Sequence, residues 1–147
     1  MSENQTFYTS SKEETQEVAE KFATQLIPGD VLCFYGDLGA GKTTFIQGLV
    51  RGLGVTKRIV SPTFILMRSY VTDKNGIQMF YHADLYRLTK EAEVEGTGLL
   101  EALEESDAVV AIEWPDRMGS VLPASRYDIT LIPEGEDKRK ITIKRIG

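Results

Sequence analysis

The sequence predicts an α/β fold, a three-layer sandwich whose mixed sheet is parallel at its centre and carries antiparallel hairpins at its margins. Three observations predict it. The run Val31-Leu32-Cys33-Phe34-Tyr35 passes through a glycine-rich turn into an amphipathic segment, the strand–loop–helix order of an α/β unit. Val109-Val110-Ala111-Ile112 is apolar without interruption, as a strand covered on both faces must be. Two pairs of β-rich segments, 63–72 with 77–83 and 127–132 with 139–145, flank short polar turns and read as antiparallel hairpins. At 147 residues the chain has the length of one domain with a real core, so residues 1–147 are read as a single unit.

Taken in order, Gln5 to Thr9 reads as a short edge strand. Ser11-Lys12-Glu13-Glu14 then has the form of a capping box, a hydroxyl followed three residues later by Glu, and opens a helix expected to run to about Ile27. Val18, Phe22 and Leu26, with Ala19 and Ala23 beside them, form its core-facing stripe, and Pro28-Gly29 stops it. The helix after the glycine-rich turn carries Phe45, Ile46, Leu49, Val50 and Leu53 on one face and ends at Gly54, a left-handed cap. Asn75-Gly76, within the turn 73–76, favours the positive φ angles of a two-residue hairpin. Short helices are expected near 90–95 and 98–105, a central strand at 107–113, and a last hairpin turning at 133–137.

Composition narrows function. A net charge of −5 and a pI near 5.0 argue against a broad basic face for nucleic acid. The N-terminus has neither a basic start nor an apolar signal core, and the apolar runs are strand-sized, so no membrane association and a cytoplasmic location are expected. The single cysteine, Cys33, lies inside an apolar run and reads as a small buried hydrophobe rather than a nucleophile.

The chemistry concentrates in Gly36-Asp37-Leu38-Gly39-Ala40-Gly41-Lys42-Thr43, which spells G-x-x-x-x-G-K-T directly after the strand, with Thr44 following. In such a loop glycines let the backbone approach a ligand so that successive N–H groups point at phosphate oxygens. Lys42 adds a point charge for the β- and γ-phosphates, Thr43 a hydroxyl for Mg²⁺, and the helix from Lys42 its positive dipole end. The chain therefore reads as a single P-loop NTPase domain. Mg²⁺ in such sites takes one or two carboxylates, and two acids close apolar strands: Glu113 after Val109 to Ile112, in a Walker-B-like position, and Asp84 after Met79 to Ala83. With one carboxylate on the ion and the other orienting or deprotonating water, ATP hydrolysis becomes feasible, and Asp84, Lys42 and Glu113 are the expected catalytic residues.

Other residues admit two readings. His82 is a hydrogen-bonded structural imidazole in preference to a proton-transfer group. Ser61-Pro62-Thr63-Phe64 either reports the γ-phosphate as nucleotide switches do or simply stiffens a loop. Trp114 bridges core and surface or lines the nucleotide cleft, and the charged stretch Glu134 to Lys140 reads as a solvated hairpin tip.

Four motifs in order, Gly36 to Thr44, Ser61 to Phe64, His82-Ala-Asp-Leu-Tyr-Arg87 and Val110-Ala-Ile-Glu-Trp-Pro115, give the chain a resemblance to the TsaE family, P-loop ATPases of bacterial tRNA N6-threonylcarbamoyladenosine biosynthesis. The resemblance spans nearly the whole length. It implies Mg²⁺ on Thr43 and Glu113, a catalytic or switch role for Asp84, and association with the TsaB and TsaD proteins, tRNA being reached only through that complex. It also implies ATP turnover that is slow alone, and adenine contacts on Ser10 to Lys12, Ser11 among them, and on the last hairpin near Lys138. Two alternatives stand beside it: a small-molecule kinase, which would want an arginine-bearing lid that this chain lacks, and a non-hydrolytic nucleotide-dependent interaction module. No Asn-Lys-x-Asp segment is present to read guanine.

Overall fold

Among the described residues, eight strands form one sheet in the order β1-β8-β7-β2-β6-β5-β4-β3. The structure is a computed structural model that describes residues 4–37, 39–59 and 67–147. Its strands are β1 (Gln5–Thr9), β2 (Val31–Tyr35), β3 (Lys57–Ile59), β4 (Met67–Lys74), β5 (Ile77–Asp84), β6 (Ala108–Glu113), β7 (Arg126–Pro133) and β8 (Arg139–Ile146). The helices are α1 (Lys12–Ala23), α2 (Lys42–Gly52) and α3 (Leu99–Leu103), with 3₁₀ turns at Glu91–Gly96 and Pro115–Val121. β7, β2, β6 and β5 run parallel as the centre, while β7–β8, β8–β1, β5–β4 and β4–β3 are antiparallel pairs, the mixed arrangement expected from the apolar and alternating runs.

Helices cover both faces because every residue of β6 is buried and alternate side chains need cover on each side. On one face α1 and α2 pack over Leu32, Phe34, Phe80, Val109, Ala111, Ile129 and Leu131. On the other, α3 and the 3₁₀ turns cover Cys33, Ala83, Val110 and Ile112. α1 and α2 meet through small residues: a Cβ on Gly48 would meet the Gln16 carbonyl and stand 2.7 Å from Ala19 Cβ, and one on Gly52 would stand 2.8 Å from Ala23 Cβ. That close approach fixes α2, and with it the loop at its start, against the sheet.

Local details follow from single residues. α1 ends at Ala23, short of the expected Ile27, because Gln25 N–H and Leu26 N–H donate to Phe22 O and Ala23 O, tightening the last turn, and Pro28 disfavours helical backbone at Ile27. Asn75 and Gly76 take φ of 57° and 77°, the turn Asn-Gly predicts, and Asn75 Nδ2 donates to Ala23 O and Leu26 O, satisfying the end of α1. β3 has no counterpart in the sequence reading; three residues carry no alternation to detect. Ser61 to Phe64, Leu38 and the start of the segment 63–72 lie outside the described residues. Among the described residues no helix is long and apolar enough to cross a membrane.

Candidate active site

The phosphate-type loop leaves the C-terminal end of β2, the edge of a parallel sheet where α/β folds place ligands. Gly36 opens it where a Cβ would stand 2.8 Å from Leu131 O on β7, so only glycine lets the chain turn there. Gly41, at φ of 103°, is the N-cap of α2. The first turn of α2 contains no acid, so its N–H groups and dipole face outward uncompensated. α1 is the contrast: Ser11 Oγ accepts from Glu14 N–H at 3.1 Å, Glu14 accepts from Ser10 N–H at 2.6 Å, and two glutamates occupy the first turn. Of these two helix starts, α2 is the one left ready for an outside anion.

Lys42 is 5% exposed, and its Nζ donates to Gly36 O at 2.7 Å while standing 4.4 Å from the centre of the Trp114 ring. The ammonium is thus held over the loop by a carbonyl on one side and a π-face on the other. Trp114 takes a left-handed backbone, φ 60° and ψ 52°, which costs of order 1–3 kcal/mol in a non-glycine residue. Its ring is held there by Tyr86 at 5.1 Å and Arg117 at 5.4 Å.

The acids expected at strand ends are brought together. Asp84 and Glu113 are direct partners in the β5–β6 register, and Phe34 pairs with Glu113, so the ends of β2, β6 and β5 lie side by side. Neighbouring strands lie about 4.8 Å apart, and register partners point to one face. Their surroundings differ. Glu113 is buried and accepts from His82 Nε2 at 2.6 Å, a carboxylate having only acceptors. Asp84 is exposed, its Oδ1 accepting from Tyr86 N–H at 3.1 Å. His82 is therefore the hydrogen-bonded imidazole of its first reading, and it fixes one oxygen of Glu113.

A cleft of about 390 Å³ gathers Ser11, Gly39, Gly41, Lys42, Thr43, Thr44, Asp84 and Glu113 with Trp114 and Arg139. Gly36, Asp37 and Ala40 belong to the loop but do not line the cleft; Asp37 O accepts from Ala40 N–H and Ala40 is buried. Thr43 hydroxyl and Glu113 carboxylate are hard oxygen donors. Among the described residues no three His, Cys, Asp or Glu side chains cluster as an all-protein metal cage. Cys33 is fully buried, and burial pushes its thiol up to about 12, which removes it from any nucleophilic role.

The family model described as threonylcarbamoyl adenosine biosynthesis protein TsaE matches residues 9–141. The chain belongs to the TsaE family. It is similar to proteins named tRNA threonylcarbamoyladenosine biosynthesis protein TsaE, among them one from Bacillus subtilis, 39% identical over 139 residues and covering 95% of this chain and 84% of the relative. Another, from a Nostoc species, is 39% identical over 139 residues, covering 92% and 83%. The crystal structure of Bacillus subtilis YdiB superposes with a TM-score of 0.77 at 34% identity, covering 100% of this chain and 88% of that one.

In this TsaE-family chain Thr15, Tyr86, Asp137 and Arg139 also line the cleft, residues to which the sequence reading assigns no site role one by one, although the resemblance points to the last hairpin near Lys138. Arg139 and Asp137 line the cleft from the last hairpin, where the charge run reads as solvated. Residues 134–138 are indeed exposed, but Arg139 folds back onto the phosphate-type loop, with Nε donating to Ala40 O at 2.8 Å. The buried pair His82–Glu113 carries a prediction. Glu113→Ala leaves the buried imidazole without its partner and should cost about 1–3 kcal/mol of stability, while Glu113→Gln keeps an acceptor and should cost less. Urea denaturation of the two variants checks the order; equal losses would show that the hydrogen bond contributes nothing.

Proposed function

We propose that this chain is a Mg²⁺-dependent ATP hydrolase of tRNA threonylcarbamoyladenosine biosynthesis, acting in the cytoplasm on a TsaB–TsaD complex through ATP binding and hydrolysis. The family assigns it to that biosynthesis. The observation that carries the hydrolytic reading is the pairing of an acid-free helix start bearing Lys42 with two carboxylates in register at the neighbouring strand ends.

The loop amides and Lys42 would receive the β- and γ-phosphates and neutralise the charge that develops as the terminal bond breaks. Asp84, exposed and open to solvent, is suited to orient the attacking water or take its proton. Buried Glu113, with one oxygen tied to His82, is suited to a fixed cation-holding role beside Thr43. Bound there, Mg²⁺ would supply charge neutralisation along the polyphosphate. Ser11 and the hairpin side of the cleft are left for the base and sugar.

Phosphate release measured with and without TsaB and TsaD tests this reading. Release should be slow alone and rise with the partners. No stimulation, together with phosphate transfer to a metabolite, would favour a small-molecule kinase.

A further inference from the structure

Arg139 spends its guanidinium entirely on backbone carbonyls. Nε donates to Ala40 O at 2.8 Å and Nη2 to Gly39 O at 3.3 Å, both in the phosphate-type loop. Nη1 donates to Gly135 O at 3.4 Å, Glu136 O at 3.2 Å and Lys138 O at 2.9 Å, all in the turn between β7 and β8. One cation therefore joins two segments about a hundred residues apart, and its Nε lies 3.4 Å from where a Gly41 Cβ would stand.

Carbonyl oxygens are the wrong sign for a loop that must receive an anion, and here two of them are turned onto a positive charge. A trans peptide sets its C=O and the following N–H on opposite sides, so fixing Ala40 O toward Arg139 turns the Gly41 N–H away from the guanidinium. Ala40 N–H is already committed to Asp37 O at 3.0 Å. The planar fork matters: three guanidinium nitrogens at fixed angles reach five carbonyls, Nη1 sharing its two N–H among three of them, whereas a lysine ammonium has three donors and no fork.

We propose that Arg139 is a positioning residue that locks the loop's carbonyls away from the phosphates and ties the β7–β8 turn to nucleotide binding. This rests on the nucleotide site proposed above. The turn should then sense the loop: amide exchange at 134–138 slows on MgATP binding in the native chain and does not in Arg139→Gln.

Calorimetric MgATP titration of Arg139→Lys, Arg139→Gln and Arg139→Ala, with thermal melting of each, tests the assignment. Affinity should fall roughly 10- to 100-fold in all three, the range for lost charge-assisted hydrogen bonds. Guanidinium ion at low millimolar concentration should restore part of the affinity of Arg139→Ala. A denaturing cation can only worsen a folding defect, so restoration separates positioning from a general loss of structure. Native affinity in Arg139→Lys, or no restoration in Arg139→Ala, overturns the proposal. If the native chain does not bind MgATP, or Lys42→Ala binds it equally well, the nucleotide-site reading itself fails.

Discussion

Lys42→Ala is expected to lower MgATP affinity about a hundredfold or more while the chain remains folded. A hydrogen bond to a charged group is worth about 1.5–3 kcal/mol, roughly 10- to 150-fold in affinity, and Lys42 is a buried full charge that adds direct Coulombic attraction to the phosphates. The structural loss is smaller. Its hydrogen bond to Gly36 O and its contact with Trp114 are worth about 1 kcal/mol each at most sites, a few degrees of melting temperature for a chain of this size. Ligand-induced stabilisation separates the two effects. At a hundred times Kd the native chain gains about 2.7 kcal/mol from bound nucleotide, and the variant should gain almost none at the same concentration. A variant that melts as the native chain does with MgATP present would place the phosphates away from Lys42.

Asp84→Asn is expected to abolish most turnover, about 10²- to 10⁴-fold, with MgATP affinity within a few-fold of native. Asp84 is exposed, and the amide oxygen of Asn can accept from Tyr86 N–H as the carboxylate does, so neither fold nor cleft shape should change. Single-turnover phosphate release measures the step. The same variant separates hydrolysis from binding as the working event. Should it still support threonylcarbamoyladenosine formation with TsaB and TsaD, ATP binding alone stabilises the assembly and the chain is an interaction module.

The contrast between Asp84 and Glu113 marks what sequence reasoning reached and where it stopped. Both acids could be found because each ends an apolar strand, and period and polarity are local signals. That they are register partners, and that one is buried against His82 while the other faces solvent, needs the strand order β2-β6-β5. His82 and Glu113 are 31 residues apart, and no local pattern joins them. Arg139 illustrates the same limit more sharply. It sits in a charge run with the composition of a solvated tip, and only the placement of β7 beside β2 carries that tip over the loop. The left-handed backbone of Trp114 also leaves no trace in residue type, since tryptophan rarely adopts it without surrounding contacts. The overlong reading of α1 has a local cause, because apolar Leu26 continues the stripe after the backbone has left the helix. By contrast, the Asn75-Gly76 turn, the parallel centre and the antiparallel margins were legible, each from turn chemistry or apolar patterning alone.

Trp114 offers the most direct test of the central claim, that nucleotide phosphates are received between the loop and the ends of β5 and β6. It is the single tryptophan of the chain and lies 4.4 Å from Lys42 Nζ within the cleft. Titration with MgATP should change its emission saturably, with a midpoint matching the calorimetric affinity, and the change should vanish in Lys42→Ala. Calorimetric binding of MgATP with no change in Trp114 emission would contradict the account, because the nucleotide would then lie elsewhere.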